Sequence, residues 1–269
     1  MPGIHDTAYP RLKSSVSAQE LAAVYTPTAE EVTLAHQVAK DTRNRICFLV
    51  LLKTFQRLGY FELLHKIPPP IAEHIALLYG VHHGALEWEA YDGSATRRRH
   101  VAFIRDRLSV KPFDDASRKL LAESVRQAAR VKEDTADIIN VAIEELIRQR
   151  YELPGFTTLL VESQRGKAEV NRHFYSGVCR ALGAQRCRKI DEMLEADQPN
   201  RRSLWQNLKL DAGAPTLTQL RLLAQRLEWL KTLGLTSDDS FAGVPPVKVA
   251  HFALEARSLD AGRMLEMEE

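Results

Sequence analysis

The stretch TRNRICFLVLLKTFQRLG, residues 42–59, decides the fold class of this chain. Its apolar side chains recur three and four positions apart, which is the spacing of one face of an α-helix. The residues on this mostly apolar face are Ile46, Phe48, Leu49, Leu52, Phe55 and Gln56. Gly59 closes the stretch, and glycine is favoured just after a helix end because it tolerates the left-handed conformation. The stretch therefore predicts a helix over residues 42–58 whose apolar face lies in a core.

The rest of the chain repeats this helical spacing, and its sequence lacks the alternating apolar and polar runs that are typical of strands. Thr28 and Glu31 form the pattern of a capping box, which marks a helix start. Ser94 and Thr216 are further candidate N-caps. We therefore predict an all-α fold. The predicted helices cover residues 28–40, 42–58, 69–79, 86–91, 95–108, two helices within 114–150 that break near 134–135, 158–163, 167–182, 184–195, 216–233 and 247–259.

The length of the chain, 269 residues, suffices for one large domain or for two of about 130 residues. The tripeptide Leu153-Pro154-Gly155 interrupts the helical pattern, because proline and glycine are the strongest local breakers of secondary structure. We therefore predict two multi-helix modules, residues 1–152 and residues 153–269, each with a helix-turn-helix-like element.

The composition of the chain excludes several classes of protein. The hydrophobic fraction of 45% is too high for a disordered chain. The longest apolar run, residues 46–52, is far shorter than the roughly 18 residues that a membrane span needs, and the first residues lack the apolar core of a secretory signal. Three cysteines, Cys47, Cys179 and Cys187, are too few for a disulfide framework. We therefore expect no membrane contact and a cytoplasmic location.

The positive charge of the chain is concentrated in two stretches. The formal net charge is only +2, from 37 Lys and Arg against 35 Asp and Glu. Residues 97–108 hold five arginines against one aspartate, a local charge of +4, and residues 165–189 hold seven basic residues against one glutamate, a local charge of +6. Residues 255–269 carry an opposing charge of −3. Local basic patches of this kind are typical of proteins that bind polyanions.

Each basic stretch follows a turn at the start of a predicted helix, which is the order of elements in a helix-turn-helix. In DNA-binding proteins with this motif, the second helix enters the major groove and its first residues contact base edges. The two candidates, each given as helix, turn and helix, are 86–91, 92–94 and 95–108, and 158–163, 164–166 and 167–182.

The predicted DNA contacts lie mainly in these two second helices, because arginine suits guanine, asparagine suits adenine, and basic side chains neutralise phosphate. The predicted base readers are Arg97, Arg98, His100, Lys167, Asn171 and Arg172. The predicted phosphate contacts are Arg43, Arg45, Arg99, Arg165, Arg186, Arg188 and Lys189, and Arg105 joins the DNA-binding set as part of the first basic helix. A basic helix face is also common as plain solvated surface, and this alternative stays open.

No pattern of catalytic or metal-ligating residues stands out in the sequence. It contains no glycine-rich phosphate loop, no Gly-x-Ser-x-Gly and no His-Glu-x-x-His. Cys179 and Cys187 have no nearby pair of histidines, so buried thiols are favoured over a zinc site. His82-His83 is interpreted as part of a solvated turn. We therefore expect no enzymatic activity, no cofactor and no metal.

Several short segments of the chain resemble the N-terminal region of Tn-three family replicative transposases. They are FQRLGYF (55–61), IPP (67–69), IAEHIA (71–76), RHVAFIR (99–105), LPGFTTL (153–159), VNR (170–172), TL (216–217), LEWL (227–230) and ALEARSLD (253–260). The string Leu-Gly-Tyr-Phe with its Pro-Pro and Glu-His-Ile followers is fairly specific. The resemblance covers nearly the whole chain.

This resemblance implies an all-helical region that binds the terminal inverted repeats of a transposon. In the family, a dimerisation region and a ribonuclease-H-like nuclease domain with an Asp-Asp-Glu metal triad lie further along a much longer chain. Because this sequence stops at Glu269, before any such region, we expect DNA binding but no cleavage or strand transfer, and a monomer in the free state. The expected partners are double-stranded DNA and a full-length transposase, in a bacterial, nucleoid-associated location.

Two other roles stay open on the sequence alone. A chain that occupies the repeats without cleaving them would compete with a full transposase and act as a repressor of transposition. A helical protein-interaction scaffold would instead use its basic faces to dock acidic partners. Sequence preference and salt dependence of DNA binding distinguish the scaffold from the other two roles.

Overall fold

The fold is all-α, as the sequence predicts. The computed structural model describes residues 2–81, 88–195, 202–211, 213–234 and 241–265. Over these ranges the chain contains no strand beyond an isolated bridge between Lys111 and Tyr151. None of the described helices is both long enough and apolar enough to cross a membrane.

Most helices begin and end within a few residues of their predicted bounds, and the helices predicted at 42–58 and 95–108 have those bounds in the structure. In chain order the α-helices of the described residues are α1 (Ala18–Glu20), α2 (Ala29–Val38), α3 (Thr42–Leu58), α4 (Pro69–Leu77), α5 (Trp88–Asp92), α6 (Ala95–Leu108), α7 (Asp115–Ala129), α8 (Thr135–Arg148), α9 (Phe156–Leu182), α10 (Ala184–Leu194), α11 (Leu204–Leu208), α12 (Leu217–Thr232), α13 (Pro246–Ser258) and α14 (Ala261–Leu265).

Packing divides the chain into two compact units. Unit one comprises Met1–Val125 and Thr135–Ser163, and unit two comprises Arg126–Asp134 and Gln164–Glu269. Each unit therefore draws on two separate stretches of sequence. The division into consecutive modules, with a boundary after residue 152, stays a prediction.

Helix α3 supplies a large part of the core of unit one. Asp41 caps its start by accepting a hydrogen bond from Asn44 N at 2.8 Å. All residues of Ile46–Leu52 are buried, and within the face that the sequence predicted only Gln56 is exposed. Helices α2, α4 and α6 pack around α3, which is why burial extends beyond one face. Since burying one large apolar side chain contributes roughly 1.5–3 kcal/mol, α3 is a main source of stability in this unit.

Gly59 ends α3 in the left-handed conformation, with φ +72°. Its N–H donates to Phe55 O at 2.7 Å, and its carbonyl accepts a hydrogen bond from Leu153 N at 2.9 Å. The Tyr9 hydroxyl donates to Pro154 O at 2.9 Å. Within unit one, the bond from Leu153 therefore fastens the Leu-Pro-Gly break to the end of α3, and the bond from Tyr9 fastens it to the N-terminal segment.

The capping box predicted at the start of α2 is present. Glu31 N donates to Thr28 Oγ1 at 3.2 Å, and Thr28 N donates to the Glu31 carboxylate at 2.8 Å. The same carboxylate lies 3.3 Å from Nζ of the buried Lys53 and accepts a hydrogen bond from Gln56. Burial raises the pKa of Glu31, but the hydrogen bonds from Thr28, Gln56 and Lys53 lower it by more than burial raises it. The pKa of Glu31 therefore lies below its usual range. Glu31 therefore ties the start of α2 to α3.

Helix α9 overturns one prediction. The sequence predicted two helices separated by a turn at residues 164–166, but α9 is continuous over Phe156–Leu182. The turn was inferred from Arg165-Gly166, yet a single glycine inside a helix costs only about 1 kcal/mol relative to alanine. Gly166 is buried in the structure, so packing around it offsets that cost. The second predicted helix-turn-helix is therefore wrong.

Among the described residues, unit two buries fewer apolar side chains than unit one. Its buried hydrophobic residues in this part of the chain are Ala128, Ala129, Val170, Phe174, Met193, Leu233 and Ala261. Most of the exposed large hydrophobic side chains of the described residues also belong to this unit. The short helix α11, which the sequence did not predict, begins with a capping box between Ser203 and Gln206.

Some predictions fall on residues outside the described ranges. One of them is the turn with His82-His83. The first residues of the predicted helix 86–91 also lie outside, whereas α5 is described from Trp88 onward.

Candidate nucleic-acid interface

The first predicted helix-turn-helix corresponds to α5, the residues Gly93 and Ser94, and α6. Ser94 caps α6 by accepting a hydrogen bond from Arg97 N at 3.0 Å. Arg97, Arg98 and Arg99 therefore lie in the first turn of α6, where backbone N–H groups and the helix dipole favour phosphate, whereas Arg105 and Arg107 lie in its last turn. The order of elements is present, whereas contact with DNA stays a prediction.

Arg97, a predicted base reader, is held inside unit one. Its Nε lies 3.4 Å from Asp92 Oδ1, and its Nη2 donates to Glu62 O at 3.2 Å. Only 16% of its side chain is exposed. The Asp92 carboxylate also accepts a hydrogen bond from Leu64 N at 2.9 Å. Arg97 therefore fastens the start of α6 to the chain that precedes it, and its guanidinium is not available to a base.

His100, another predicted base reader, belongs to the core. It is 2% exposed, its Nδ1 lies 2.7 Å from the Tyr91 hydroxyl, and its ring meets Phe48 edge-on at 5.3 Å. Burial, with a smaller effect of the nearby Arg99 charge, lowers the pKa of His100 to about 4. The prediction that His100 contacts bases is corrected: a buried, neutral imidazole cannot reach a base edge.

The exposed basic residues of α6 are fewer than the sequence suggested. Arg98 and Arg99 are exposed, and Arg99 Nη2 donates to Thr96 Oγ1 within the same turn at 3.2 Å. Arg105, in contrast, lies 2.6 Å from the Glu152 carboxylate and stacks over the Phe61 ring at 5.4 Å. Arg98 and Arg99 are therefore the predicted contacts of this helix that face solvent.

The two predicted phosphate contacts of α3 make interactions within the chain. Arg45 donates to Ala39 O at 2.9 Å and to Lys40 O at 2.7 Å. These carbonyls lie just after the end of α2, so Arg45 ties the start of α3 to the connection that precedes it. Arg43 is partly exposed and also has an interaction within the protein.

Two predicted base readers of α9 point into unit two. Lys167 Nζ lies 3.1 Å from Glu133 Oε2 and donates to Glu133 O at 2.5 Å. Asn171 Oδ1 accepts a hydrogen bond from Lys248 Nζ at 3.2 Å. Both side chains therefore serve the packing of this unit, and their assignment as base readers is corrected.

Lys167 and Asn171 belong to a charged cluster around Glu133 that the sequence did not predict. Lys248 has a fully buried side chain, forms an ion pair with Glu133, and donates to Lys132 O at 3.2 Å. Burial raises the pKa of Glu133, but hydrogen bonds and charge from Lys248 and Lys167 outweigh this effect and lower it. The partners are far apart in sequence, so no local pattern signals the cluster.

A row of exposed arginines follows one face of α9. Arg165 and Arg172 are exposed and seven residues apart, and the exposed Arg180 follows eight residues later. We call these three residues the α9 arginine row. At a rise of 1.5 Å per residue, their intervals along the helix are about 10 and 12 Å. Glu169 and His173 are exposed on the same side. Arg180 was not among the predicted contacts, although its spacing from Arg172 is a helical signal.

The three predicted phosphate contacts of α10 differ in exposure. Arg188 is exposed, and its Nε donates to Ala184 O one turn earlier at 3.4 Å. Lys189 Nζ donates to Thr232 O, at the end of α12, at 3.1 Å. Arg186 is partly exposed beside Gly234, where a Cβ would lie 3.5 Å from its Nη2. Lys189 and Arg186 therefore contact the end of α12 within unit two.

The cysteines and acidic residues offer no metal site within the described ranges. No group of three or more His, Cys, Asp or Glu in that part of the chain could hold a metal ion. Cys47 is buried, and burial raises the pKa of its thiol to about 12. Cys179 is exposed, against the expectation of a buried thiol, and Cys187 Sγ lies 3.7 Å from Cys179 O.

Comparison with known proteins gives one family for this chain. No curated protein matches it. The sequence model of a family described as a domain of unknown function (DUF4158) matches residues 2–161, which is more than half of the chain and includes α6 and the start of α9. The chain therefore belongs to the DUF4158 family.

Proposed function

We propose that this chain binds double-stranded DNA with sequence preference, at the terminal inverted repeats of a transposon, as the DNA-binding part of a transposase. The observation that carries the proposal is the α9 arginine row. Its intervals of about 10 and 12 Å match the width of about 12 Å of the major groove. Two neighbouring arginines of the row, at this spacing, suit phosphates on the two sides of that groove.

Unit one supplies a second, separate contact in this proposal. Arg98 and Arg99 are exposed in the first turn of α6, where the positive end of the helix dipole adds to their charge. Arg97 and His100 hold that turn in place from inside, through Asp92 and Tyr91. A rigid support of this kind lowers the entropy cost of placing Arg98 and Arg99 against DNA.

The choice of transposon repeats as the target rests on the resemblance to Tn-three family transposases. RHVAFIR (99–105) and VNR (170–172) are among the resembling segments, and they contain Arg99 and Arg172. Charge and exposure alone support polyanion binding, and the resemblance narrows the polyanion to transposon DNA. The nuclease chemistry of that family is not part of the proposal for these residues.

Fluorescence anisotropy over a range of salt concentrations tests the proposal. Duplexes are first selected from a random-sequence pool on the protein, and the enriched sequence is compared with its scrambled version. We expect the enriched duplex to bind at least about 1,000-fold more tightly than the scrambled one. The double variant Arg165→Glu with Arg172→Glu should bind this duplex much more weakly, with a salt slope reduced by about 2.

Arg257→Glu is the matched control, because Arg257 is exposed on α13 of the same unit and lies outside the arginine row. It should retain tight binding to the enriched duplex. Equal affinity for enriched and scrambled duplexes, or an unchanged salt slope in the double variant, would contradict the proposal and favour the scaffold role.

The same surface would also allow this chain to act as a repressor of transposition. A bound chain would occupy the repeats and exclude a full transposase by mass action. Transposition frequency with the chain supplied in trans, compared with the Arg165→Glu and Arg172→Glu double variant, separates this role from DNA binding alone.

A further inference from the structure

Several large apolar side chains of helix α12 are exposed. Leu217 and Leu220 are each 63% exposed, and Leu227 is 59% exposed. Leu230, one turn further, is 41% exposed. Isolated exposed leucines are ordinary, but a contiguous apolar stripe on one helix marks an interaction surface.

The stripe follows the seven-residue spacing of a two-helix seam. Leu217, Leu220, Ala224 and Leu227 occupy successive a and d positions, at intervals of three and four residues. All four are exposed. We call these four residues the seam. Apolar a and d side chains normally pack into the surface of a facing helix, so an exposed seam lacks its packing partner.

The opposite face of α12 borders a groove within unit two. Leu222 and Trp229 line a groove of about 600 Å³ together with Leu204 and Asn207 of α11. These positions lie on the opposite side of α12 from the seam, since they are offset from Leu220 and Leu227 by two residues. The seam therefore faces away from α11.

We propose that α12 is a self-association surface, which pairs with α12 of a second copy of this chain in an antiparallel two-helix contact. This replaces the expectation of a free monomer. The contact is isologous, since the same seam serves both copies across a two-fold axis. The proposal is separate from DNA binding and needs no residue of the α9 arginine row.

Charge complementarity argues for a second copy in this orientation. One flank of the seam carries Arg221 and Glu228, and the other carries Leu223 and Leu230. In an antiparallel pair, flanks of the same kind meet. In the register centred between residues 224 and 225, Arg221 of each copy faces Glu228 of the other, and leucines face leucines on the other flank. Within its own chain, Glu228 pairs with the exposed Lys231 at 2.8 Å. In a parallel pair, the charged flank would face the leucine flank, leaving both poorly matched.

The size of the contact sets its expected strength. Helix α12 has 16 residues, so it is about 24 Å long. Pairing two such helices buries less than the roughly 1,200 Å² of a standard stable interface. We therefore expect a reversible dimer with a dissociation constant of about 10–100 μM.

Sedimentation velocity of the full chain without DNA, from about 1 to about 300 μM, tests this inference. The unmodified chain should shift from monomer to dimer over this range. Leu220→Lys with Leu227→Lys should stay monomeric throughout. Leu254→Lys is the matched control, because Leu254 is 65% exposed on α13 but outside the seam, and it should dimerise like the unmodified chain.

Charge reversal then tests the orientation. Arg221→Glu alone and Glu228→Arg alone should each weaken the dimer at least about tenfold, since each places like charges opposite one another. The double variant should restore it. A monomer at every concentration, or equal dimerisation of the seam variant, would overturn the proposal. A dimer whose dissociation constant is unchanged by the charge reversals would overturn the antiparallel arrangement. None of these results depends on whether the chain binds DNA.

Discussion

Lys248 and Glu133 form a buried ion pair that ties α13 to the segment between α7 and α8 within unit two. Lys248 is fully buried, and Lys167 shares the same carboxylate at 3.1 Å. Asn171 accepts a third hydrogen bond from the buried ammonium group. Two ammonium groups therefore depend on one carboxylate, which explains why two residues of α9 that the sequence assigned to DNA are committed to packing.

Replacement of the shared carboxylate should strongly destabilise unit two. Glu133→Gln removes the negative charge and leaves Lys248 buried beside a neutral amide. Breaking a buried ion pair from one side typically costs about 3–5 kcal/mol, because the remaining charge has neither water nor a counter-ion. Urea unfolding followed by far-ultraviolet circular dichroism should show a loss of this size.

Glu145→Gln is the control for the Glu133 variant. Glu145 pairs with Arg148 on α8, and the Arg148 side chain is 71% exposed. Exposed pairs of this kind contribute about 1 kcal/mol or less. If both variants lose the same small amount of stability, Lys248 is not dependent on Glu133 in the folded protein.

The buried His100 should make the stability of unit one depend on pH. The pKa of its imidazole falls from 6.5 to about 4 on folding, so between these values the unfolded chain binds a proton that the folded chain rejects. Lowering the pH from 7 towards 4 should therefore favour unfolding, by up to about 3 kcal/mol. Thermal unfolding at half-unit steps of pH measures this slope.

His100→Gln separates this effect from other titrations, because an amide can still form a hydrogen bond with Tyr91 but binds no proton in this range. Its stability should change less between pH 7 and pH 5. Acid sensitivity below about pH 4.5 should persist, since folding lowers the pKa of Glu31 and Glu133 and their contribution is lost as they protonate. His173→Gln, at an exposed position of α9, should keep the original slope, and a matching slope in His100→Gln would contradict the assignment.

Substitution of Gly59 should destabilise unit one because of the backbone conformation at this position. Its φ of +72° is strained for any residue with a Cβ, and a Cβ there would touch Leu153 Cδ1 at 3.4 Å, an ordinary contact distance. Gly59→Ala should therefore cost about 1–2 kcal/mol through strain alone. Gly93→Ala is the comparison, because Gly93 has no positive φ and no neighbour within 4 Å of a Cβ. Similar melting temperatures for both variants would show that α3 does not need a left-handed end.

Helix ends in this chain could be predicted because their signals are local. Thr28 with Glu31, Ser94, and Gly59 act on groups within four residues of themselves, so caps and stops are visible in the sequence. Gly166 is the exception, since its tolerance within α9 depends on packing that no nearby residue reveals. Local signals therefore predicted the positions of most helices, but they did not predict that α9 is continuous.

The candidate DNA contacts were harder to predict, because charge in a stretch does not show which face a side chain occupies. His100 lies beside the buried Val101 and Ile104 of α6, and that apolar spacing was the available signal against assigning it to DNA. No such signal exists for Lys167, because its partner Glu133 lies 34 residues earlier in the chain, in the connection between α7 and α8. The exposed pair Arg165 and Arg172 was predicted from charge, and its exposure supports keeping it.

Arg97 and Arg98 should behave as opposites, although they are neighbours in the same basic stretch. Arg97→Ala removes contacts with the Asp92 carboxylate and Glu62 O, so it should cost about 1–3 kcal/mol of stability. Arg98→Ala changes an exposed side chain, so its effect on stability should stay within about 0.5 kcal/mol.

DNA binding should rank the same two variants in the reverse order. A direct phosphate or base contact by Arg98 predicts weaker binding of the enriched duplex by about 1–3 kcal/mol, with a salt slope reduced by about 1 if the contact is to phosphate. Arg97→Ala, measured where it is folded, should change both quantities little, because its guanidinium lies against Asp92. Urea unfolding and fluorescence anisotropy on the same samples measure the stability and the DNA affinity of both variants. Weakened binding in Arg97→Ala alone would mean that the supporting residue, and not its exposed neighbour, controls the surface of α6.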